Sequence, residues 1–246
     1  MSATFNDTTN YKGLVQLYER EIGANRGDIS GSTDRLKEFA SDVNSALDDF
    51  VEMAIKSSGT WQFDDTNFSD YPIITTNLVQ GQRDYSFTSD ETGNLVLDIY
   101  KVLVADADGK YRELTPRDAQ SEEDTNGFWN GENTQGSPHE YDKTGNGIFL
   151  NPIPNNNVSN GLKVYINREA SYFAHTDTIK KPGVPGIFHK YFALRPAQDY
   201  ARRNNLANHD RIQGEVLRKE QEIQSYFGER PKDERRRLQI ALEDNK

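Results

Sequence analysis

Between residues 34 and 56 the apolar side chains fall at Leu36, Phe39, Ala40, Val43, Leu47, Phe50, Val51, Ala54 and Ile55. Steps of three and four match the period of an α-helix and put every large apolar group on one face. Ser32, Thr33 or Asp34 offers a side-chain oxygen to cap the start, and Lys56 with Gly59 suits the end. No other stretch of the chain is patterned so one-sidedly, and a helix of this kind must bury its stripe against partners. Residues 11–22 carry a shorter version, with Leu14, Val15, Leu17, Tyr18 and Ile22 facing inward. Joined by the Gly- and Ser-rich linker 23–33, the two predict a helical hairpin that hides part of each stripe.

After Gly59 the pattern changes. From Trp61 to about Ser171 short apolar runs alternate with Asn, Asp, Gly, Thr and Pro, a β-rich composition. Residues 72–76 and 85–87 predict brief strands, and 95–104 predict the best one. Leu95, Leu97 and Ile99 alternate, then the phase moves to Tyr100, Val102 and Val104, which predicts a bulge near Ile99. Asp108-Gly109 signals a hairpin returning through Tyr111 and Leu114. Residues 116–124 suit a short acidic helix, and Phe128-Trp129 an anchor for the Gly- and Asn-rich loop that follows. A strand at 148–150 ends at Pro152 and Pro154, which lack ladder donors. Beyond a polar turn at 155–161, Leu162, Val164 and Ile166 alternate with Lys163, Tyr165 and Asn167 as in a half-buried strand.

From Pro185 the period returns to that of a helix, with Phe188, Tyr191, Phe192 and Tyr200 in a segment reaching about residue 206. Pro196 interrupts it; its missing N–H and its ring act on the carbonyl of Phe192, which predicts a kink. Asn208 or Asp210 can cap a further helix with Ile212, Val216, Ile223, Tyr226 and Phe227 inside, stopped by Gly228 and Pro231. Residues 232–246 contain strong helix formers but few apolar anchors, so they are expected to fray or to order against a partner. The order gives an α+β fold: a bundle of about four helices (1–60 and 184–230), a β-rich domain inserted between helices two and three (61–183), and a C-terminal tail (231–246).

The composition narrows the functions. The 246 residues carry a net charge of −10, which opposes nucleic-acid binding through the average field. Cysteine is absent, so disulfides, thiol catalysis and thiolate metal sites are excluded. No apolar run approaches membrane-spanning length and the N-terminus lacks a signal pattern, so a soluble intracellular product without membrane contact is expected. Twelve Tyr and twelve Phe supply core material despite the low hydrophobic fraction.

Signals for chemistry are weak. No phosphate-cradling loop, nucleophile elbow or paired-histidine zinc motif occurs, and no cofactor or metal is expected. Asp106-Ala107-Asp108-Gly109 resembles part of a calcium loop, but Arg117 stands where the closing glutamate belongs, so a hairpin turn is expected. Glu122-Glu123-Asp124 reads as a solvated acidic face, and His189 as a hydrogen-bonded core or interface histidine. Two charge patterns are more specific. Asp34, Glu38, Asp42, Asp49 and Glu52 line up opposite the apolar stripe of the 34–56 helix. Like charges four residues apart weaken that helix by a few tenths of a kcal/mol each. The plain reading is a solvated face, the functional one a surface that must not hold a polyanion. Arg235-Arg236-Arg237, followed by Leu238, Ile240, Ala241 and Leu242, suits docking into an acidic groove of another protein, or else belongs to a frayed tail.

Several motifs occur in a telling order: Ile148-Phe149-Leu150-Asn151-Pro152-Ile153-Pro154, then Gly161-Leu162-Lys163-Val164-Tyr165-Ile166-Asn167-Arg168, then Val184-Pro185-Gly186-Ile187-Phe188-His189-Lys190-Tyr191 and Asp199-Tyr200-Ala201. This succession, with the N-terminal helices, resembles the head-to-tail adaptor (connector, or head-completion) proteins of tailed bacteriophages over most of 14–227. Pro196 and the Asn-rich insertion depart from the pattern. The resemblance implies a structural virion protein without catalysis. It implies a homo-oligomeric ring, typically dodecameric, that binds the portal protein on one side and a tail-side protein (tail tube, stopper or nozzle) on the other, at the head–tail interface. Double-stranded DNA would pass through the extended channel without tight binding during ejection. On this reading Asp42, Asp49 and Glu52 are channel-lining candidates, and Arg235, Arg236, Arg237 and Leu238 are portal-docking candidates. One rival is a carbohydrate-binding or tail-accessory β module on a helical stem, stacking sugars on Trp61, Phe128 and Trp129. The other is a carboxylate hydrolase built on the Glu122 cluster.

Overall fold

The computed structural model describes residues 3–58, 73–90, 93–117 and 134–229. Among them are four α-helices: α1 (Leu14–Ile22), α2 (Thr33–Ser58), α3 (Tyr191–Arg203) and α4 (His209–Glu229). Between α2 and α3 lie β1 (Ile73–Leu78), β2 (Asp84–Ser86), β3 (Val96–Ala105), β4 (Tyr111–Glu113), β5 (Thr115–Pro116), β6 (Gln135–Gly136), β7 (Glu140–Thr144), β8 (Gly147–Asn151), β9 (Ile153–Pro154) and β10 (Val158–Arg168). The α+β order expected from the periodicities is the order found.

Helix α2 is continuous over 26 residues and buries Phe39, Ala40, Val43, Leu47, Phe50, Val51 and Ala54, all members of the predicted stripe. It rests on α3 and α4, and α3 in turn rests on α4. The hairpin of α1 on α2 is replaced by a different pairing. Helix α1 lies mainly against α3, and meets α2 where the Tyr18 and Phe39 rings approach to 4.7 Å. The connecting loop explains the change. The Glu19 carboxylate, on α1, accepts the backbone N–H of Ile29 and of Ser30, each at 2.9 Å, and the Ser30 hydroxyl at 3.1 Å. That fixes the linker as a folded loop instead of a tight turn. Helix α1 also starts later than its pattern suggests, because Tyr11 adopts a left-handed φ of 56°. Gly13 caps it at a point where a Cβ would lie 2.4 Å from Gln16 Oε1 and 2.5 Å from Asp7 N.

The proline in α3 does not end the helix, which runs unbroken from Tyr191 to Arg203 after a 3-10 turn at Gly186–Phe188. One N–H bond to the Phe192 carbonyl is forfeited in the second turn. Phe192, Leu194, Ala197 and Ala201 are fully buried around it, and that burial outweighs a single bond.

The larger sheet has the order β1-β10-β3-β4, and a second sheet the order β2-β8-β7-β5. In β3 the register against β10 jumps from Tyr165–Lys101 to Ile166–Ile99, leaving Tyr100 as the extra residue, so the bulge falls beside Ile99. A second shift, between Asn167–Asp98 and Arg168–Val96, was not foreseen. It turns Val96 inward and leaves Leu95 and Leu97 47% and 46% exposed, where both were expected inside. The Asp108-Gly109 hairpin joins β3 to β4, with Gly109 at φ 79°. Pro116, expected to open a helix, instead lies in β5, paired in parallel with β7; residues 118–124 lie outside the described part.

The apolar side chains form two clusters. One fills the sheets around Ile99, Val102, Val104, Ile148, Leu150, Leu162, Val164 and Ile166. The other fills the helices and also takes in Ala3, Phe5, Ala170, Phe173 and Val184 from the flanking segments. Its centre is Phe50, whose ring lies 5.3 to 6.3 Å from those of Phe188, Tyr191, Phe192 and Phe227. The chain leaving β10 is held to α2 by the Asn44 amide, which donates to the Phe173 carbonyl at 3.0 Å and accepts the Phe173 N–H at 2.8 Å.

Candidate functional site

The charged face of α2 begins as a matter of helical phase. Asp42 and Asp49 are seven residues apart, two turns, and so share one side of the helix. Packing α3 beside α2 brings arginines to that side. Arg203 Nη2 donates to Asp42 Oδ2 at 2.8 Å, and Arg195 Nε donates to Asp49 Oδ2 at 3.1 Å. Arg195 Nη1 also holds Asp199 at 2.9 Å, four residues along α3, and Asp199 lies 3.3 Å from Arg202. Glu52 pairs with Lys56 one turn later on α2, and Asp34 lies 3.5 Å from Lys37. The channel-lining candidates Asp42, Asp49 and Glu52 are therefore not a bare acidic stripe. Each is matched to a cation, and the first two sit at the α2–α3 seam.

Burial shapes the charges there. Asp42 is pushed above the ordinary carboxylate range mainly by its own partial burial, which outweighs the attraction of Arg203. Arg203 is raised in turn, chiefly by Asp42. For Arg195 burial works against the charge, but Asp199 and Asp49 more than offset it and raise the pKa. Glu220, on α4, is raised by burial, and Tyr191 donates to it over a long 3.5 Å. Asp49, Arg195, Asp199, Tyr191 and Glu220, but not Asp42 or Arg203, line a groove of about 600 Å³ between α2, α3 and α4, into which the half-exposed Leu217 also projects. Among the described residues no cluster of three or more His, Asp or Glu is poised to hold a metal.

The remaining sequence candidates resolve as follows. Asp106 Oδ1 accepts the backbone N–H groups of Asp108 and Lys110, at 3.0 and 2.9 Å, so this carboxylate closes the hairpin. His189 is 2% exposed. Its Nδ1 accepts the Ala3 N–H at 2.9 Å while Nε2 lies 3.0 Å from the Val184 carbonyl, which fixes a neutral ring protonated at Nε2. It ties the N-terminal segment to the start of the third helix. Arg235, Arg236, Arg237 and Leu238 lie outside the described residues, as do Trp61, Phe128, Trp129 and the Glu122 cluster. No helix among the described residues is long and apolar enough to cross a membrane.

What the sequence reading missed is the partner of the acidic stripe. Arg195, Asp199, Arg202 and Arg203 fall at helical spacings of three, four and seven, a signal as regular as that on α2. Only the packing of α3 on α2 turns the two patterns into pairs.

A family model described as SU10 adaptor protein matches residues 9–242. Among curated proteins, none matches the chain.

Proposed function

The chain belongs to the SU10 adaptor protein family, and from this premise we propose that it is a structural ring-forming adaptor that joins the portal vertex of a phage capsid to the tail. Membership makes it a bacteriophage adaptor protein; the ring, the portal contact and the extended DNA channel are the finer reading. On that reading copies of the chain surround a passage for double-stranded DNA, with the α2–α3 face toward the lumen and a tail-side protein docked opposite the portal. The work is done by fit and charge, with no catalytic step.

One observation carries the lumen assignment: the arginines on the α2–α3 face are already engaged by acids of the same subunit. DNA is held when Lys and Arg displace counterions from its phosphates. A wall whose cations are paired, in a chain of net charge −10, gives phosphates few such partners. Portal docking falls to Arg235, Arg236, Arg237 and Leu238, a basic cluster with an apolar flank that suits an acidic groove.

The test is electron microscopy of the purified chain mixed with its portal. A ring stacked coaxially on the portal, with α2 toward the central hole, supports the proposal. A lone subunit with no added density on the portal, or a ring with α2 on its outer surface, overturns it. Deleting residues 232–246 is expected to abolish the stacked complex while the helical core stays folded by circular dichroism.

A further inference from the structure

A second groove, of about 800 Å³, lies between the N-terminal segment, α1, the loop after α1 and the 3-10 turn at Gly186–Phe188. Leu17, Ala24 and Ile187 line it with aliphatic groups, and Ile187 is 61% exposed. Lys12, Arg20 and Arg26 give it a positive charge, with the Arg26 guanidinium stacked 3.0 Å from the centre of the Tyr11 ring. Among the described residues no carboxylate forms an ion pair with any of these three cations. Glu19 also lines the groove, but its carboxylate is spent on the amides of Ile29 and Ser30 and on the Ser30 hydroxyl. Lys190 is already bridged to Glu21 and Glu215. The complement of such a groove is a surface that combines exposed aliphatic groups with unpaired carboxylates.

The folded chain presents that surface elsewhere. The register shift in β3 leaves Leu95 and Leu97 about half exposed. The Glu169 N–H donates to the Leu95 carbonyl at 3.0 Å, which brings an acid beside them. Three residues further on, the Tyr172 hydroxyl donates to Asp48 Oδ1 on α2 at 2.7 Å. The phenol is pushed above its ordinary range first by burial, then by the bond to Asp48 and the charges of Asp48 and Glu169, so the two acids flank one ring. Among the described residues neither Glu169 nor Asp48 forms an ion pair. The lysines nearby are taken: Lys180 donates to the Tyr172 carbonyl and the Ser171 hydroxyl, and Lys143 pairs with Asp98. This acidic patch shares no residue with the basic groove. It is tied to α2, whereas the groove is built on α1 and the 3-10 turn, so a subunit cannot seat its own patch in its own groove.

We infer that copies of this chain pair through these two faces, the acidic patch of one seated in the basic groove of the next. Leu95 and Leu97 then cover Leu17 and Ile187, and Glu169 and Asp48 face Lys12, Arg20 and Arg26. The contact is heterologous: each pairing leaves one patch and one groove open, so the same contact repeats and, where the rotation closes, makes a ring. The inference rests on the ring reading for its setting and deepens it by naming the faces that meet.

The chain has no cysteine, so single cysteines in full-length chains report which faces touch. Ile187 and Leu97 are exposed, so replacing either leaves the core intact. On mixing, the Ile187→Cys chain and the Leu97→Cys chain are expected to oxidise to a mixed disulfide dimer roughly tenfold faster than either forms a dimer with its own kind, because only the mixed pair is held in contact. Adding Glu169→Lys and Asp48→Lys to the Leu97→Cys chain should abolish that advantage. Adding Arg20→Glu and Arg26→Glu to the Ile187→Cys chain should then restore it, which damage to either fold would not do. Equal rates for mixed and like pairs, a rate unmoved by the charge reversal, or no restoration by the second reversal would each overturn the inference. Rings on the portal without the mixed disulfide would reject these faces and leave the ring reading standing. The mixed disulfide, with its charge dependence, in a chain that forms no ring would uphold the contact and reject closure.

Discussion

Arg195 reaches from α3 to Asp49 on α2, with Nε 3.1 Å from Oδ2, and grips Asp199 on its own helix with Nη1 at 2.9 Å. One guanidinium therefore joins an interhelical pair to an intrahelical one. Its planar fork suits two acceptors at once, which a lysine at the same place would not serve. The seam between α2 and α3 is thus set by charge at its rim and by the Phe50 rings beneath.

The pair should contribute modestly to stability, because Asp49 is 44% and Arg195 29% exposed. A double-mutant cycle of Arg195→Ala with Asp49→Ala, followed by urea unfolding, is expected to give a coupling of about 0.5–1 kcal/mol. A coupling indistinguishable from zero would mean that solvent has already taken the interaction's place.

Phe50 is a different case. It is fully buried and its ring lies within 6.3 Å of four other aromatic rings. Phe50→Ala is expected to cost about 3–5 kcal/mol, the transfer of the ring plus the cavity it leaves. The urea midpoint should fall sharply, with the slope of the transition kept. A loss under 1 kcal/mol would show that α2 does not depend on this cluster.

Much of this was legible in the chain. The 3.6-residue period of 34–56 forces a one-sided helix, and 26 residues of α2 contain it whole. The phase change at Ile99 marked the bulge because a period of two cannot absorb an extra residue silently. Leu95 and Leu97 misled for the same reason: a second register shift two residues earlier reversed their faces, and one strand alone cannot reveal what its neighbour β10 imposes. The α1–α2 hairpin was misread because its linker is rich in Gly and Ser, yet Glu19 folds that linker through side-chain bonds invisible to periodicity. At the candidate site the acids could be named from spacing, but their arginines belong to a helix about 150 residues away in sequence. Charge matching is a product of packing, and no local pattern contains it.

The Asn44 clamp gives a third expectation. Both ends of its amide are used by the backbone of Phe173, at 3.0 and 2.8 Å, so Asn44→Ala leaves a donor and an acceptor of the chain after β10 without partners. The cost should be about 1–2 kcal/mol. Hydrogen exchange at the Phe173 amide is the sharper readout, and protection there should drop while amides inside α2 stay protected. Unchanged protection at Phe173 would assign the docking of this segment to its buried side chains alone.

His189 sets a pH dependence whose sign follows from its environment. Burial lowers its pKa, and the bonds to Val184 and Ala3 offset this only in part. The unfolded chain therefore takes up this proton more readily than the folded one. Stability from this group is complete above 6.5, the ordinary value for histidine, and is lost as the pH falls from there through the lowered folded value. On protonation Nδ1 exchanges the Ala3 N–H that it now accepts for donation to the Ala3 carbonyl 3.2 Å away, the contact that offsets burial only in part. Between pH 7.5 and 5.5 the unfolding free energy of the native chain should fall more steeply than that of His189→Gln. The difference in slope has the sign of proton uptake on unfolding and stays below one proton, the most that a single group contributes. Parallel slopes would mean that His189 titrates alike in both states.

The last prediction concerns DNA. If the acids of α2 serve to keep cations from phosphate, neutralising them should create binding where little exists. Asp42→Asn, Asp49→Asn and Glu52→Gln together release Arg203, Arg195 and Lys56 from their partners on α2, although Asp199 still holds one arm of Arg195. Because each freed cation that reaches a phosphate releases counterions, affinity for duplex DNA should rise and fall off more steeply with salt. The slope of log affinity against log salt should grow by about two units. Fluorescence anisotropy of a labelled duplex between low and physiological salt measures both quantities. The acids also hold the α2–α3 seam together, so the comparison requires that the variant keep its helical circular dichroism. A folded variant with unchanged affinity and slope would leave the ion pairs as stabilisers of the seam and remove the charge argument for placing this face toward the passing genome.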